Sequence, residues 1–236
     1  MLLFLLLADF QSDQLVYPRV KVAQAEAGAG LEQLFLEKKL AYPPVGLVLV
    51  ALKEEGLIEA WVPGGSTYVH LKDYKICARS GGLGRKRRAG DGQVPEGFYE
   101  VAAFNPSSSY YLALKVSYPN AADRVLNRGV PLGGDIMIHG NCVTIGCLPI
   151  QDEHIKELYW LAVQAKAHGA KKIPVYLFPF RFHDNLAADH VAHPQEEWAQ
   201  QWSFWENLRE GYLRFQKHPL PLAVSVAKDG HYVFAQ

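Results

Sequence analysis

Two cysteines and a histidine fall within one short apolar stretch, His139-Gly140-Asn141-Cys142-Val143-Thr144-Ile145-Gly146-Cys147-Leu148-Pro149-Ile150. A thiol near an imidazole is the minimum equipment for covalent catalysis. The thiolate is the attacking species, so a cysteine with an ordinary pKa of about 8.5 needs a base or a positive charge beside it to react at neutral pH. His139 can be that base. Gly146 lets the backbone turn without Cβ crowding, so the N–H groups of Gly146 and Cys147 can point at one developing oxyanion. Cys147, rather than Cys142, is therefore the expected nucleophile. Cys142 is read as a small packed residue, and Gly140, Asn141, Thr144 and Arg124 as contacts of the surrounding cleft.

Two other readings of these residues compete. By residue type alone, a free cysteine is most often an inert member of a core. His139, Cys142, Cys147 and His154 also supply the nitrogen and sulfur donors of a structural zinc site in a non-enzymatic module. The spacing argues against zinc, because His154 falls one turn into a helix and Cys147 in an apolar run instead of on paired knuckles.

Positioning such a pair requires a scaffold, and the flanking pattern indicates one. Apolar spacing from Leu15 to Leu40 is helical, with Gly28 and Gly30 expected to divide it. Val45–Leu52 and Leu57–Val62 read as a hairpin, followed by strands over Tyr74–Ala78, Gly97–Phe104, Tyr110–Val116, Gly134–Ile138 and Ile173–Phe180. Short connections make the sheet largely antiparallel. Asp152 and Glu153 begin a helix that stops at His168-Gly169, acid first and glycine last. From Pro194 to Lys217 the residues Trp198, Trp202, Trp205, Leu208, Tyr212 and Phe215 recur at helical spacing, a stripe read as core. Val224–Phe234 closes the chain as a small hairpin.

The expected fold class is mostly β with α additions, an α+β sheet or sandwich with flanking helices. Its expected divisions are an N-terminal extension or residual signal segment over residues 1–15, a helical segment over 16–44, a catalytic domain over 45–182, and a C-terminal helix and hairpin over 183–236. With 236 residues, 49% of them hydrophobic, the chain can bury a large core. Lys+Arg and Asp+Glu both total 24, so there is no global field to attract nucleic acid. Three cysteines are too few for a disulfide scaffold and leave at least one free thiol. Met1–Ala8 has the apolar character of a secretory signal but lacks a basic residue ahead of it, and no other run suits a membrane span. Ser80–Gly92 combines glycines with Arg85-Lys86-Arg87-Arg88. It lacks the ending of a nucleotide P-loop and reads either as a solvated hairpin loop or as a binder of peptide carboxylates.

The stretch from His139 to Pro149 resembles the signature of the YkuD-type L,D-transpeptidases, and more narrowly its YafK-like branch. Similar segments include Gln93–Tyr99, Asn105-Pro106-Ser107, Tyr118–Ala121 with Asp123-Arg124, and Lys172–Tyr176 through Phe178-Pro179-Phe180, so that the resemblance spans residues 16–235. It implies acyl transfer on peptidoglycan stem peptides through a Cys147 thioester with His139 as base, in the periplasm or another extracytoplasmic space, without metal or organic cofactor. It also implies a wall-anchored protein as one acceptor. The same pair with water as acceptor would make an amidase. The broader family carries a second histidine immediately before its Gly-Cys pair; Ile145 stands there in this chain.

Overall fold

Strands β1 (Val48–Leu52) and β8 (Pro174–Phe178) are apolar throughout and buried, the pattern of strands covered on both faces. They pair in parallel at the centre of one sheet in the computed structural model of the protein, which describes residues 10–235. The sheet has eight strands in the order β3-β2-β1-β8-β4-β5-β6-β7. The others are β2 (Leu57–Pro63), β3 (Tyr68–Lys75), β4 (Gly97–Asn105), β5 (Ala113–Val116), β6 (Met137–His139) and β7 (Leu148–Pro149). β9 (Val224–Val226) and β10 (Tyr232–Phe234) form a separate hairpin. All sheet pairings are antiparallel except β1–β8 and β6–β7.

Period-two alternation sends the two sides of the central strands into different cores. Leu49, Ala51, Val175 and Leu177 join the core that includes Phe35 of α1 (Pro18–Glu37) and Leu158, Tyr159 and Leu161 of α3 (Gln151–Ala167). Val50, Leu52, Tyr176 and Phe178 join Trp202, Trp205, Leu208, Tyr212 and Phe215 of α5 (Gln195–Lys217). The aromatic stripe is thus core, and Trp205 and Phe215 are 0% exposed. Two further helices are short, α2 (Ala121–Leu126) and α4 (Leu186–Ala192). At α2, Asn120 accepts from the Asp123 N–H while the Asp123 carboxylate accepts from the Asn120 N–H, a reciprocal capping box.

The structure revises four sequence expectations. α1 runs unbroken through Gly28 and Gly30; Gly28 is buried against α3, where an added Cβ would make ordinary contact with Trp160 Nε1 at 3.6 Å, so tertiary packing carries the helix past the glycines. β3 begins at Tyr68, six residues before the expected Tyr74, and pairs with β2 across the Pro63–Ser66 turn. Tyr111 and Asp135 take left-handed backbone angles, φ 70° and 57°, which shortens β5 and β6 at their starts. Cys142 is not a lone packed residue: it is disulfide-bonded to Cys77, which follows β3, with Cα atoms 5.6 Å apart. Met1–Ala8 lies outside the described residues, and among those described no helix is long and apolar enough to cross a membrane.

Candidate active site

The loop from Gly140 to Cys147 joins β6 to β7, so both ends of the expected catalytic stretch are fixed by one strand pair. Ile138 stands opposite Leu148 and His139 opposite Pro149 in parallel register. Cys147 directly precedes Leu148 of β7, and its Sγ lies 3.4 Å from the carbonyl oxygen of Asp135, two residues before the start of β6. Gly146 enters Cys147 at φ 128°, and a Cβ there would come 3.1 Å from the Gln93 carbonyl oxygen. Both facts call for glycine.

Thr144 organises the last turn. Its Oγ1 accepts from the N–H of Gly146 at 3.2 Å and of Cys147 at 2.8 Å, and donates to the Cys147 carbonyl at 2.8 Å. The two amides read as oxyanion donors are therefore engaged by a hydroxyl in the free protein. At the other end of the loop, Gly140 is needed for close approach: a Cβ would meet Asp152 Oδ1 at 2.5 Å and the Tyr110 carbonyl at 2.8 Å. Asn141, at φ 59°, donates its N–H to Asp152 Oδ1 and accepts from the Cys142 N–H through its side chain. The disulfide to Cys77 pins the loop from its middle. Arg124 lies on α2, and it is not among the residues that line the cavity beside Cys147.

His139 is 1% exposed, and its ring stacks on Tyr110 with centroids 4.7 Å apart. Its Nδ1 lies 2.5 Å from the Gly140 carbonyl oxygen. That contact assigns the ring proton to Nδ1 and leaves the lone pair on Nε2. Burial presses the His139 pKa below its ordinary value, against a smaller opposing effect of the Gly140 carbonyl. At Cys147, burial raises the thiol pKa, aided by the Asp135 charge and opposed by a Met137 backbone hydrogen bond and by Lys86. Both shifts favour the uncharged forms, a thiol and a neutral imidazole. The thiol itself donates to the Asp135 carbonyl at 3.4 Å.

Cys147 is the free cysteine of the chain and is partly exposed. It opens on a cavity of about 240 Å³ shared with Lys53, Ile76, Arg79, Leu83 and Val94. One wall is held by a buried ion pair. Lys53 Nζ donates to Glu96 Oε1 at 2.9 Å and to the carbonyls of Gly84 and Val94, while Glu96 also accepts from the Gly84 N–H and from Trp205 Nε1. The pair is 8% and 0% exposed. It ties the end of β1, the glycine loop, the entry to β4 and helix α5 together behind the thiol.

A zinc site is not assembled from the four donors weighed above, because Cys142 is spent in the disulfide. His154 Nδ1 faces the Ile150 carbonyl at 2.9 Å within its own helix.

The domain that carries this loop has known relatives. The model of the YkuD family, the L,D-transpeptidase catalytic domain, matches residues 47–175. The chain is also 38% identical over 186 residues to YafK of Escherichia coli (strain K12), which is named as a proposed L,D-transpeptidase; the match covers 78% of this chain and 72% of that protein. The chain belongs to the YkuD L,D-transpeptidase catalytic domain family. Among solved structures, the helical cell shape determining protein Pgp2 of Campylobacter jejuni aligns at a TM-score of 0.47 and 18% identity, over 83% of this chain and 80% of that one. Its K307A mutant aligns at 0.48 and 23% over 74% and 61%. In this YkuD domain, Ile145 is 89% exposed where the broader family's second histidine was expected from the resemblance.

Sequence reading passed over three features of the site: Cys77, Tyr110 and the Lys53–Glu96 pair. Cys77 carried a signal, since an odd count of three permits one bridge beside one free thiol. The others carried none, because nothing local marks a charge or a ring that is paired across 43 or 29 positions.

Proposed function

We propose that the protein is a cysteine acyl transferase of the L,D-transpeptidase type acting on peptidoglycan stem peptides. The reading is carried by one observation: the chain's free thiol, Cys147, opens on a cavity from the same strand pair that holds His139 with its Nε2 lone pair available. Cys147 Sγ attacks the carbonyl at the L-centre of diaminopimelate while His139 Nε2 takes the thiol proton. The N–H groups of Gly146 and Cys147, released from Thr144 Oγ1, receive the oxyanion. Collapse breaks the amide C–N bond, and the imidazolium returns the proton to the departing amine, leaving a thioester on Cys147. An amine of a second stem or of a wall-anchored protein completes the transfer; water would complete a hydrolysis instead.

An extracytoplasmic, periplasmic setting is supported by the Cys77–Cys142 disulfide, since such bonds persist where the environment is oxidising. The test is a mass measurement of the intact protein after incubation with a carbapenem, a substrate-like acylating agent for this family. We expect one adduct on the native protein and on the double variant Cys77→Ser/Cys142→Ser, and none on Cys147→Ser. Removing both bridge partners avoids a stray thiol that would confuse the count. An adduct that persists in Cys147→Ser defeats the assignment. Incubation with stem tetrapeptides, with and without an added amine acceptor, then separates bond formation from hydrolysis.

A further inference from the structure

The basic run Arg85-Lys86-Arg87-Arg88 is only partly solvated: Arg87 and Arg88 are exposed, Arg85 is half-buried and Lys86 is buried. Lys86 is 4% exposed and paired with Asp91. The Asp91 carboxylate also accepts from the backbone N–H groups of Arg87, Arg88 and Gln93. Burial of Asp91 works against its ionisation, and these four donors outweigh it, taking its pKa down to about 2. Its charge is therefore balanced by Lys86 and its lone pairs are occupied, so it has little left for the arginines around it. Arg85 bonds only to the neutral Asn127 Oδ1, at 2.5 Å. Among the described residues, Arg85, Arg87 and Arg88 form no ion pair with a carboxylate of the protein. Burial, and then repulsion by Arg87, disfavours the charge on Arg85, while the Asp123 carboxylate favours it to a smaller extent.

These three arginines line a groove of about 570 Å³ together with Leu83, Gly84, Gln93, Gln201 and Asp91, whose carboxylate is already held by Lys86 and three backbone N–H groups. Gln201 reaches it from α5, and its side-chain oxygen is buried without a hydrogen-bond partner. Leu83 is a wall of both this groove and the cavity that holds Cys147. The Lys86 charge also bears on the thiol. The two spaces are thus adjoining parts of one surface.

We infer that the Arg85–Arg87–Arg88 groove is a second binding subsite, one that takes the carboxylates of an acidic peptide whose neighbouring carbonyl lies at Cys147. Guanidinium forks match carboxylates two bonds at a time, and the unpaired Gln201 oxygen offers an acceptor to a peptide N–H. Inorganic phosphate could satisfy the forks as well, but it brings no neighbouring carbonyl to Cys147. The inference rests on the acyl-transfer reading for what lies at Cys147, but the subsite can be tested apart from it.

The test uses the full chain with Cys147→Ser, which cannot react, and calorimetric titration with a stem tetrapeptide, with the same peptide amidated at its carboxyl groups, and with inorganic phosphate. Arg87 and Arg88 are exposed and their side chains hold nothing, so Arg87→Gln/Arg88→Gln preserves the fold, which an unchanged melting temperature checks. We expect the double variant to bind the free tetrapeptide about tenfold more weakly, with a shallower dependence on salt. Amidation should cost the parent protein a similar factor and the variant almost nothing. Equal affinities in the two proteins, or no binding by either, overturn the subsite. Phosphate binding as tight as the peptide's, and lost in parallel, overturns its assignment to a peptide. Thioester formation on unmodified Cys147 is scored separately: acylation with equal affinities would sink the groove alone, and groove-dependent binding without acylation would sink the acyl-transfer reading alone.

Discussion

The neutral state of the resting pair can be read directly from alkylation. Because Cys77 and Cys142 are bonded to each other, iodoacetamide has one thiol to find, and the rate of its single mass addition measures the thiolate fraction at Cys147. An ordinary cysteine near pKa 8.5 is about 3% ionised at pH 7, and burial takes Cys147 lower still. His139 is pressed below the ordinary value of about 6.5, so at pH 7 more than about three quarters of it is neutral and unable to hold a thiolate by charge. The alkylation rate should therefore climb about tenfold for each pH unit from 6 to 8, with no plateau, and His139→Ala should barely change the slope. Peptide acylation should behave differently. It needs the free Nε2, so its acid limb should fall as His139 gains a proton, with a midpoint below about 6.5 that vanishes in His139→Ala. A plateau of alkylation beginning below pH 7 would show a standing thiolate–imidazolium pair and refute the reasoning.

Three further outcomes follow from the packing. Lys53→Met should lower unfolding free energy in urea by about 3–5 kcal/mol, because it strands the fully buried Glu96 carboxylate, whereas Lys53→Met/Glu96→Gln should recover part of that; a single-variant loss under about 1 kcal/mol would contradict it. Cys77→Ser/Cys142→Ser removes a cross-link over 65 residues, worth about 4 kcal/mol by chain entropy, and the melting temperature of the oxidised native protein should fall to that of the double variant when reductant is added. Gly140→Ala should reduce acylation of Cys147 by about a hundredfold, since the loop has to move off Asp152 and the Tyr110 carbonyl; near-native rates would mean that the loop yields freely.

Much of the scaffold was legible from period and punctuation. The β1–β2 hairpin, the α3 boundaries and the buried stripe of α5 followed from apolar spacing and from glycine or acid at the ends. What failed had a tertiary cause. Gly28 looks like a helix breaker until the packing of α1 on α3 buries it beside Trp160. The start of β3 was missed because exposed His70 interrupts its apolar pattern near a register shift in the β2–β3 pairing. At the site, the Gly146-Cys147 pair was marked by its own types, while the neutrality of the pair depends on burial that no local window reports. The engagement of the two amides by Thr144 was likewise invisible, although Thr-x-Gly-Cys spacing allows a hydroxyl to reach amides two and three positions on.

The bridge between Cys77 and Cys142 also bears on how the molecule matures. Three sulfurs permit three single pairings, and two of them would consume Cys147. Only one of them leaves the proposed nucleophile Cys147 free, and Cys142 lies five positions from Cys147, so a short-range error is always within reach. Yield of active material should therefore track the isomerase and redox buffer present during refolding, and chains trapped in either wrong pairing should regain alkylation of Cys147 after mild reduction and reoxidation.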